Sequence, residues 1–557
     1  MTTITREVEA PQTQAMSQFA QAIYEQKYAF KDEDGKVIET WEDTADRVAE
    51  HVLGALDYDR DSEEFAQVYE LIATRKFLPG GRYLYASGRP LHQTQNCLLL
   101  RAEDSREGWA NLLHRAAMAL MTGAGIGIDY SDVRPSGSII KKTGGFASGP
   151  ISLMQMINEC GRNIMQGGSR RSAIWAGLRW DHPDCMKFIR SKDWSDVVRT
   201  EKEKDFNFPA PLDMTNISVT LNDEFFIAYE DPTHEKNGLA HTVYDEVNKR
   251  MLKTAEPGFS VDVGENSGET LRNACTEVTS SDDSDICNLG SLNMAKFDSK
   301  EEFAEAVYYG TLFLLAGTVY SHVPYDQVGV TRTKNRRLGL GVMGIHEWLL
   351  RRGYKYEPND ELGEWLAEYE QSTGYAAEWA DKHRLSHPIK TRAIAPTGTI
   401  GIIAETTTGI EPIFCVAYKR RYLVDGTVWK FQYVVDPTAK RLIDNDGVDP
   451  YAIEDAYSLA YNVEKRVAFQ AWVQQFVDHG ISSTINLPYV ITDPAEVADF
   501  KDMLYDYLPR LRGVTAYPDG ARGGQPLTAV PYDVAVNQLG VVFEESEERC
   551  VGGACGI

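Results

Sequence analysis

"NCLLLRAEDSREGWANLLHRAAMALMTG", residues 96–123, sets the grammar of the chain. NCLLL (96–100) has the size and apolarity of a buried strand. REGWANLLHRAAMALMTG (106–123) then places Trp109, Leu112, Leu113, Ala116, Ala117 and Leu120 on one helical face and stops at glycine. ISLMQMINECGRNIM (151–165) repeats the helical pattern. Strand-sized apolar runs recur at AIWAGL (173–178), LGLGVMGI (338–345), TRAIA (391–395), STINL (483–487) and GVTAY (513–517). Strands alternating with helices favour an α/β fold of barrel or doubly wound type over a bundle or a sandwich. No internal repeat, low-complexity linker or clean domain boundary is visible. Residues 201–214 and 231–238 read as long surface loops.

The chain has 557 residues, 43% of them hydrophobic and 25% charged, enough to bury a large core. A formal charge of −25 argues against a chain-wide nucleic-acid or membrane footprint, so any polyanionic ligand needs a local pocket. The start lacks a signal pattern, and the apolar stretch Tyr309 to Val319 is too short to span a bilayer. A soluble, cytoplasmic protein is expected. With eight cysteines in so long a chain, a disulfide framework is not.

Cys160, Cys185 and Cys415 lie in apolar or mixed segments and read as core packing. Cys550 and Cys555 lie in ERCVGGACGI at the chain end, where a glycine-rich pair suits thiol exchange better than structure. Two cysteines without a neighbouring histidine fall short of a zinc site, and no metal is expected. Around Cys275, Asn273 and Glu277 stand at i−2 and i+2, a spacing that in an extended loop turns all three side chains to one side. Such a triplet suits hydrogen-atom or proton transfer, with the carboxylate as base and the amide as orienter. A tail dithiol needs an internal disulfide to reduce, and Cys97 and Cys287 are the candidates. PTGTIG (396–401) follows a strand-like run, and its small residues can bring backbone N–H groups against phosphate. GAGIGI (123–128) has the wrong spacing for a dinucleotide fingerprint, so no nicotinamide cofactor is expected.

Taken in order, LPGGRYLYASG, NCLLL, GAGIGIDYSDVRPSGSII, GGFASGPISLM, QGGSRRSAIWAGLRWDHPDCMKFI, NACTE, CNLGSLNM, APTGTIGIIAETTTGIEPIF, TAYPDGARGGQPL and the cysteine tail form a specific set. The sequence resembles the large catalytic subunit of ribonucleotide reductases, most closely the adenosylcobalamin-dependent class. The resemblance implies a ten-stranded α/β barrel of two antiparallel five-stranded halves. A central finger loop carries the radical cysteine, by position Cys275. Its thiyl radical abstracts the ribose 3′ hydrogen while Glu277 takes the 3′-hydroxyl proton, assisted by Asn273. Cys97 and Cys287 then supply two reducing equivalents and end as a disulfide, which Cys550 and Cys555 reduce before a thioredoxin- or glutaredoxin-like partner recycles them. Asn96 and the run Pro396, Thr397, Gly398, Thr399, Ile400 and Gly401 fall at substrate-binding positions. Asp104, Ser105, Arg106 and Arg134 fall at those of a nucleoside triphosphate effector, with magnesium, and Arg170 or Arg171 in the specificity loop.

The implied organisation is a helical region over 1–90 without an ATP-cone, a catalytic barrel over 91–535 with effector elements at about 104–175, and a redox tail over 536–557. Enzymes fed by a ferritin-like subunit carry adjacent tyrosines on the strand matching GVTAYPDGAR (513–522), where this chain has Tyr517 and then proline. That departure favours coenzyme B12 as radical source. The interval from Cys97 to Cys275 is too short for the insertion by which the monomeric cobalamin enzymes mimic a dimer partner, which leaves a homodimer, and di- or triphosphate substrates, open. Competing readings are a two-subunit enzyme, a catalytically inactive nucleotide-binding regulatory protein, and a thiol oxidoreductase acting on proteins.

Overall fold

The computed structural model describes residues 15–166, 170–205, 208–424, 428–519, 527–539 and 542–543. Near its start three helices, Gln18–Lys27, Trp41–Leu53 and Glu63–Ala73, each begin at a hydroxyl residue whose side chain accepts a backbone N–H: Ser17, Thr40 and Ser62. At the second, Asp43 returns a bond to Thr40 and completes a capping box. The first packs on Gly398–Ala404, and the second and third on the long helix Lys300–Tyr320, all in one shared core. That helix contains the apolar stretch noted above and is buried along its middle. No helix among the described residues is long and apolar enough to cross a membrane.

Nine strands form the main sheet: β1 (Phe77–Pro79), β2 (Cys97–Arg101), β3 (Gly125–Asp129), β4 (Ile174–Arg179), β5 (Thr215–Asn222), β6 (Gly258–Asp262), β7 (Asp285–Asn293), β8 (Leu338–Met343) and β9 (Gly513–Val514). Their order is β1-β7-β2-β3-β4-β5-β6-β9, with β8 also paired to β7. β2 to β6 run parallel, each to the next. Parallel neighbours require crossovers, and helices such as Arg106–Thr122 and Pro150–Asn163 supply them. Helix Arg106–Thr122 ends at Gly123, whose φ of 103° is the left-handed stop expected of glycine. The sheet reverses direction at both flanks, where β7 runs antiparallel to β2 and β9 antiparallel to β6. The result is a curled α/β sheet with a helical N-terminal region.

The run at 391–395 contributes isolated parallel bridges, Arg392 to Leu340 and Ile394 to Ile481, and no regular strand. GVTAY divides: Gly513–Val514 pairs with β6, while Ala516–Pro518 runs parallel to Ile485–Leu487. Residues 201–204, expected in a loop, finish the helix Asp196–Lys204, capped by Ser195. The acidic start and basic end of that helix agree with its dipole, a signal that outweighs its sparse apolar content. A hairpin, Ala417–Val424 with Val428–Val435, is flanked by Leu527–Ala529 and Val542–Phe543.

Candidate active site

Cys275 sits at the turn of a hairpin whose stem pairs Leu271–Arg272 with Thr279–Ser280. Leu271–Arg272 packs against β2, β3 and β4, so the hairpin lies in the concave face of the sheet. Glycine makes that approach possible. A Cβ on Gly127 would run into the Arg272 carbonyl, and one on Gly125 would lie 3.1 Å from the Ala274 Cβ. The glycines of GAGIGI thus clear space for the hairpin. The loop is a tight turn where an extended one was expected: Thr276 adopts φ 70°, Thr276 N–H donates to the Asn273 carbonyl, and Val278 N–H donates to Asn273 Oδ1 at 3.0 Å. A six-residue connection between paired strands has to reverse, so i±2 alternation does not apply to it.

The turn nevertheless brings the triplet to one place. Asn273, Cys275 and Glu277 line a cavity of about 240 Å³ with Asn96, Cys97, Ser291, Tyr28 and the run Pro396 to Ile400. The Cys275 side chain is open to this cavity and otherwise enclosed by protein, and desolvation pushes its thiol pKa up. Glu277 is 1% exposed, and its Oε2 has no hydrogen-bond partner. Desolvation raises its pKa to about 7, although hydrogen bonds from its own backbone and from Asn273 oppose the shift. A carboxyl poised near neutrality beside a thiol is suited to accept a proton.

Cys97 and Cys287 are buried and stand opposite each other in the register of β2 and β7. Burial first, then the Glu277 charge, pushes the Cys97 thiol well up; burial, then Asp285, does the same for Cys287.

Charged residues behind the hairpin fix its stem. Arg337, on the loop before β8, donates to Asp285 at 2.6 Å and to Glu269 at 3.0 Å. Glu269 also accepts Thr279 Oγ1 at 2.6 Å and pairs with Lys390. Asp285 also accepts Ser280 Oγ at 2.7 Å and Asn335 Nδ2 at 2.8 Å. Thr279 N–H donates to Nδ1 of the buried His479, and Gly480 N–H to the Glu277 carbonyl at 2.7 Å. Sequence reasoning found none of these supports, because their residues are scattered from Glu269 to Gly480 and only the fold brings them together. Ser291 was within reach of it: in β7, Cys287, Leu289 and Ser291 alternate onto one face. Tyr28, Gly80 and Gly81 also line the cavity and were missed.

PTGTIG starts a short helix, Gly398–Ala404, after Thr397 at φ 50°. Its first-turn amides have no partner within the helix and face the Cys275 cavity. Gly401 instead lines a neighbouring cavity of about 700 Å³, which shares Pro396 with the first.

At the expected effector positions, Arg134 Nε donates to Asp104 at 2.7 Å, and Ser105 caps helix Arg106–Thr122 by accepting Gly108 N–H at 2.8 Å. Arg106 is exposed and pairs with Glu107. Arg170 and Arg171 pair with Gln166 and Met165 in a two-residue ladder, their side chains outside the described residues. Cys550 and Cys555 also lie outside them. Cys185 and Cys415 are buried and Cys160 half-buried against the core.

The family described as "Ribonucleotide reductase, barrel domain" matches residues 95–242, 229–368 and 387–516, and "Ribonucleotide reductase, all-alpha domain" matches 15–92. The chain belongs to the ribonucleotide reductase large-chain family. Among its relatives is a "Vitamin B12-dependent ribonucleoside-diphosphate reductase" of Mycobacterium tuberculosis, 27% identical over 97% of this chain and 84% of the relative. A protein of the same description from Thermoplasma acidophilum is 27% identical over 91% and 71%. A "Putative adenosylcobalamin-dependent ribonucleoside-triphosphate reductase" of Mycobacterium phage D29 is 28% identical over 82% and 75%.

Proposed function

We propose that this ribonucleotide reductase converts ribonucleoside di- or triphosphates to 2′-deoxyribonucleotides by thiyl-radical chemistry, with adenosylcobalamin as radical source. The observation that carries the reading is one cavity holding Cys275, Glu277, Asn273 and Cys97, with Cys287 paired to Cys97 behind it. Cys275, as a thiyl radical, takes the ribose 3′ hydrogen atom. Glu277 accepts the 3′-hydroxyl proton, and Asn273, which bonds to both the turn and the carboxylate, orients it. The 2′ oxygen leaves as water while Cys97 and Cys287 give up two electrons and two protons and join as a disulfide; Glu277 returns its proton to the 3′ oxygen and Cys275 returns the hydrogen atom to C3′, which restores the thiyl radical. Asn96 and the first-turn amides of Gly398–Ala404 hold the sugar and phosphates.

The cavity of about 700 Å³ beside Pro396 is the place for the cofactor. Its wall carries hydroxyls and amides from Thr406, Thr408, Ser482, Thr484 and Asn486 with the apolar rings of Phe414 and Tyr418, a donor set that fits an amide-fringed macrocycle. The group supplies, when bound, the one-electron oxidant that removes hydrogen from the Cys275 thiol.

The flank pairings of β7 on β2 and β9 on β6 support a barrel of two five-stranded halves, the second made of β7, β8 and the segments around 392–394, 481–487 and 513–518. We assign residues 1–90 to the helical region, 91–535 to the barrel and 536–557 to a redox tail exchanging with a thioredoxin- or glutaredoxin-like reductant through Cys550 and Cys555. Asp104, Ser105, Arg106 and Arg134 are the effector contacts in this reading, with Arg170 or Arg171 relaying effector identity.

Purified protein given a ribonucleotide, adenosylcobalamin and dithiothreitol should form deoxyribonucleotide. Product appearing only after a metal-loaded ferritin-like subunit is added would transfer the chain to the two-subunit class.

A further inference from the structure

A second convergence of polar groups lies away from Cys275. A cavity of about 760 Å³ has Asn293 in its wall, at the carboxyl end of β7, and Glu347, just beyond that of β8. α/β folds use such a location, outside the carboxyl ends of parallel strands, to bind ligands. Lys76, Lys296, Arg351 and Arg441 also line it, with Glu405 opposite and Glu70 exposed at the rim.

The inner carboxylates are already engaged. Glu347 pairs with Arg441 at 2.5 Å and with Arg351 at 3.4 Å; Glu405 pairs with Arg75 at 3.0 Å and accepts Ser17 N–H at 3.1 Å. Lys76 is paired with Glu302. Lys296, alone among these cations, has neither a hydrogen bond nor an ion pair among the described residues. A half-buried cation that lines a cavity without an ion-pair partner is stabilised by an anion in that space.

We propose that this cavity binds a phosphate-class anion, with Lys296 as its principal counter-charge and Arg441 and Arg351 in support. Desolvation, with repulsion from Arg75 and Arg441, lowers the Lys296 pKa to about 8 against the opposing pull of Glu347 and Glu405. An anion at the ammonium reverses that balance. Ala404 and Glu405 end the helix Gly398–Ala404, and the Glu405 carbonyl accepts Arg441 Nη1 at 2.8 Å. The occupant therefore sits against the far end of the element whose first turn faces Cys275.

None of Lys296, Asn293 and Arg441 lines the Cys275 cavity, so the site is testable without turnover. Lysine-selective acylation of the full chain at graded pH, read by peptide mass spectrometry, should give Lys296 an apparent pKa near 8 in oxyanion-free buffer. Inorganic phosphate or pyrophosphate should raise that value by about one unit and protect Lys296 severalfold. In calorimetric titration, Lys296→Met should lose one class of pyrophosphate binding while any binding at nucleotide sites persists; a sulfate arm separates phosphate preference from general oxyanion binding. Lys296→Gln, which also removes the charge, serves if the methionine variant does not fold. Unchanged labelling of Lys296 with and without pyrophosphate, or unaltered titration of either variant that lacks the ammonium, overturns the proposal.

Discussion

Cys97 and Cys287 face each other directly across β2 and β7, two antiparallel neighbours. Cross-strand partners hold their Cα atoms about 4.5–5.5 Å apart, inside the range a disulfide spans. The pair can therefore close without moving backbone. In a Cys550→Ser/Cys555→Ser background, where the tail cannot take over the disulfide, rapid denaturation in iodoacetamide after a single turnover without external reductant should recover residues 97 and 287 in one disulfide-linked peptide, with Cys275 alkylated. Cys97→Ser or Cys287→Ser should abolish multiple turnover with dithiothreitol. A linkage between any other two thiols would remove this pair from the chemistry.

Glu277 gives the reaction a pH signature. A base must be ionised to act, so with a pKa raised to about 7 the chemical step should climb about tenfold per unit below that value and level off above it. Glu277→Gln should lower kcat by about 10²–10⁴-fold and flatten the profile. Stability moves the other way. The folded protein holds this proton up to about pH 7 while the unfolded chain releases it near the ordinary glutamate value, so wild type loses stability as pH rises between the two. Glu277→Gln should melt higher than wild type at pH 8 and level with it at pH 4.5, as thermal denaturation at the two pH values would show.

What the sequence disclosed and what it withheld divide along a physical line. Helices Arg106–Thr122 and Pro150–Asn163 were legible because one apolar stripe and one terminal stop are local properties. Cys275, Glu277 and Asn273 were legible because four intervening bonds keep them together whatever the fold. The same closeness hid the conformation, since a left-handed Thr276 has no residue signature. Arg337, Lys390 and His479 were invisible because each is an ordinary polar residue until the sheet curls and sets it behind the hairpin.

Gly127 shows how a local signal can be right in residue and open in meaning. GAGIGI is no dinucleotide fingerprint, and its glycines answer to the Arg272 carbonyl and the Ala274 methyl. Gly127→Ala meets backbone, which cannot swing aside as a flexible side chain does. It should displace the hairpin, remove most activity and cost about 1–3 kcal/mol or more of stability by overpacking. Gly125→Ala meets a methyl at 3.1 Å and should be milder on both counts. Equal losses in urea melts and turnover assays of the two variants would mean that the hairpin is not what these glycines accommodate.

Arg337 tests whether the charged support behind the hairpin positions Cys275 or only stabilises the fold. Its guanidinium bridges Asp285, two residues before Cys287, and Glu269, at the foot of the hairpin, so it ties both thiol-bearing segments to one planar group. Arg337→Met leaves the buried Asp285 and the half-buried Glu269 short of a cation and should cost about 3–5 kcal/mol in urea denaturation. Lys390 still reaches Glu269, whereas Asp285 keeps only neutral donors, Ser280, Asn335 and the Ile286 N–H. Asp285→Asn in the same background removes the stranded charge and should recover much of the stability. If positioning is the role, turnover stays low in the double variant although the fold is restored, because an amide and a thioether do not reproduce the fork that fixes the geometry. Recovery of stability and turnover together would leave Arg337 a purely structural residue.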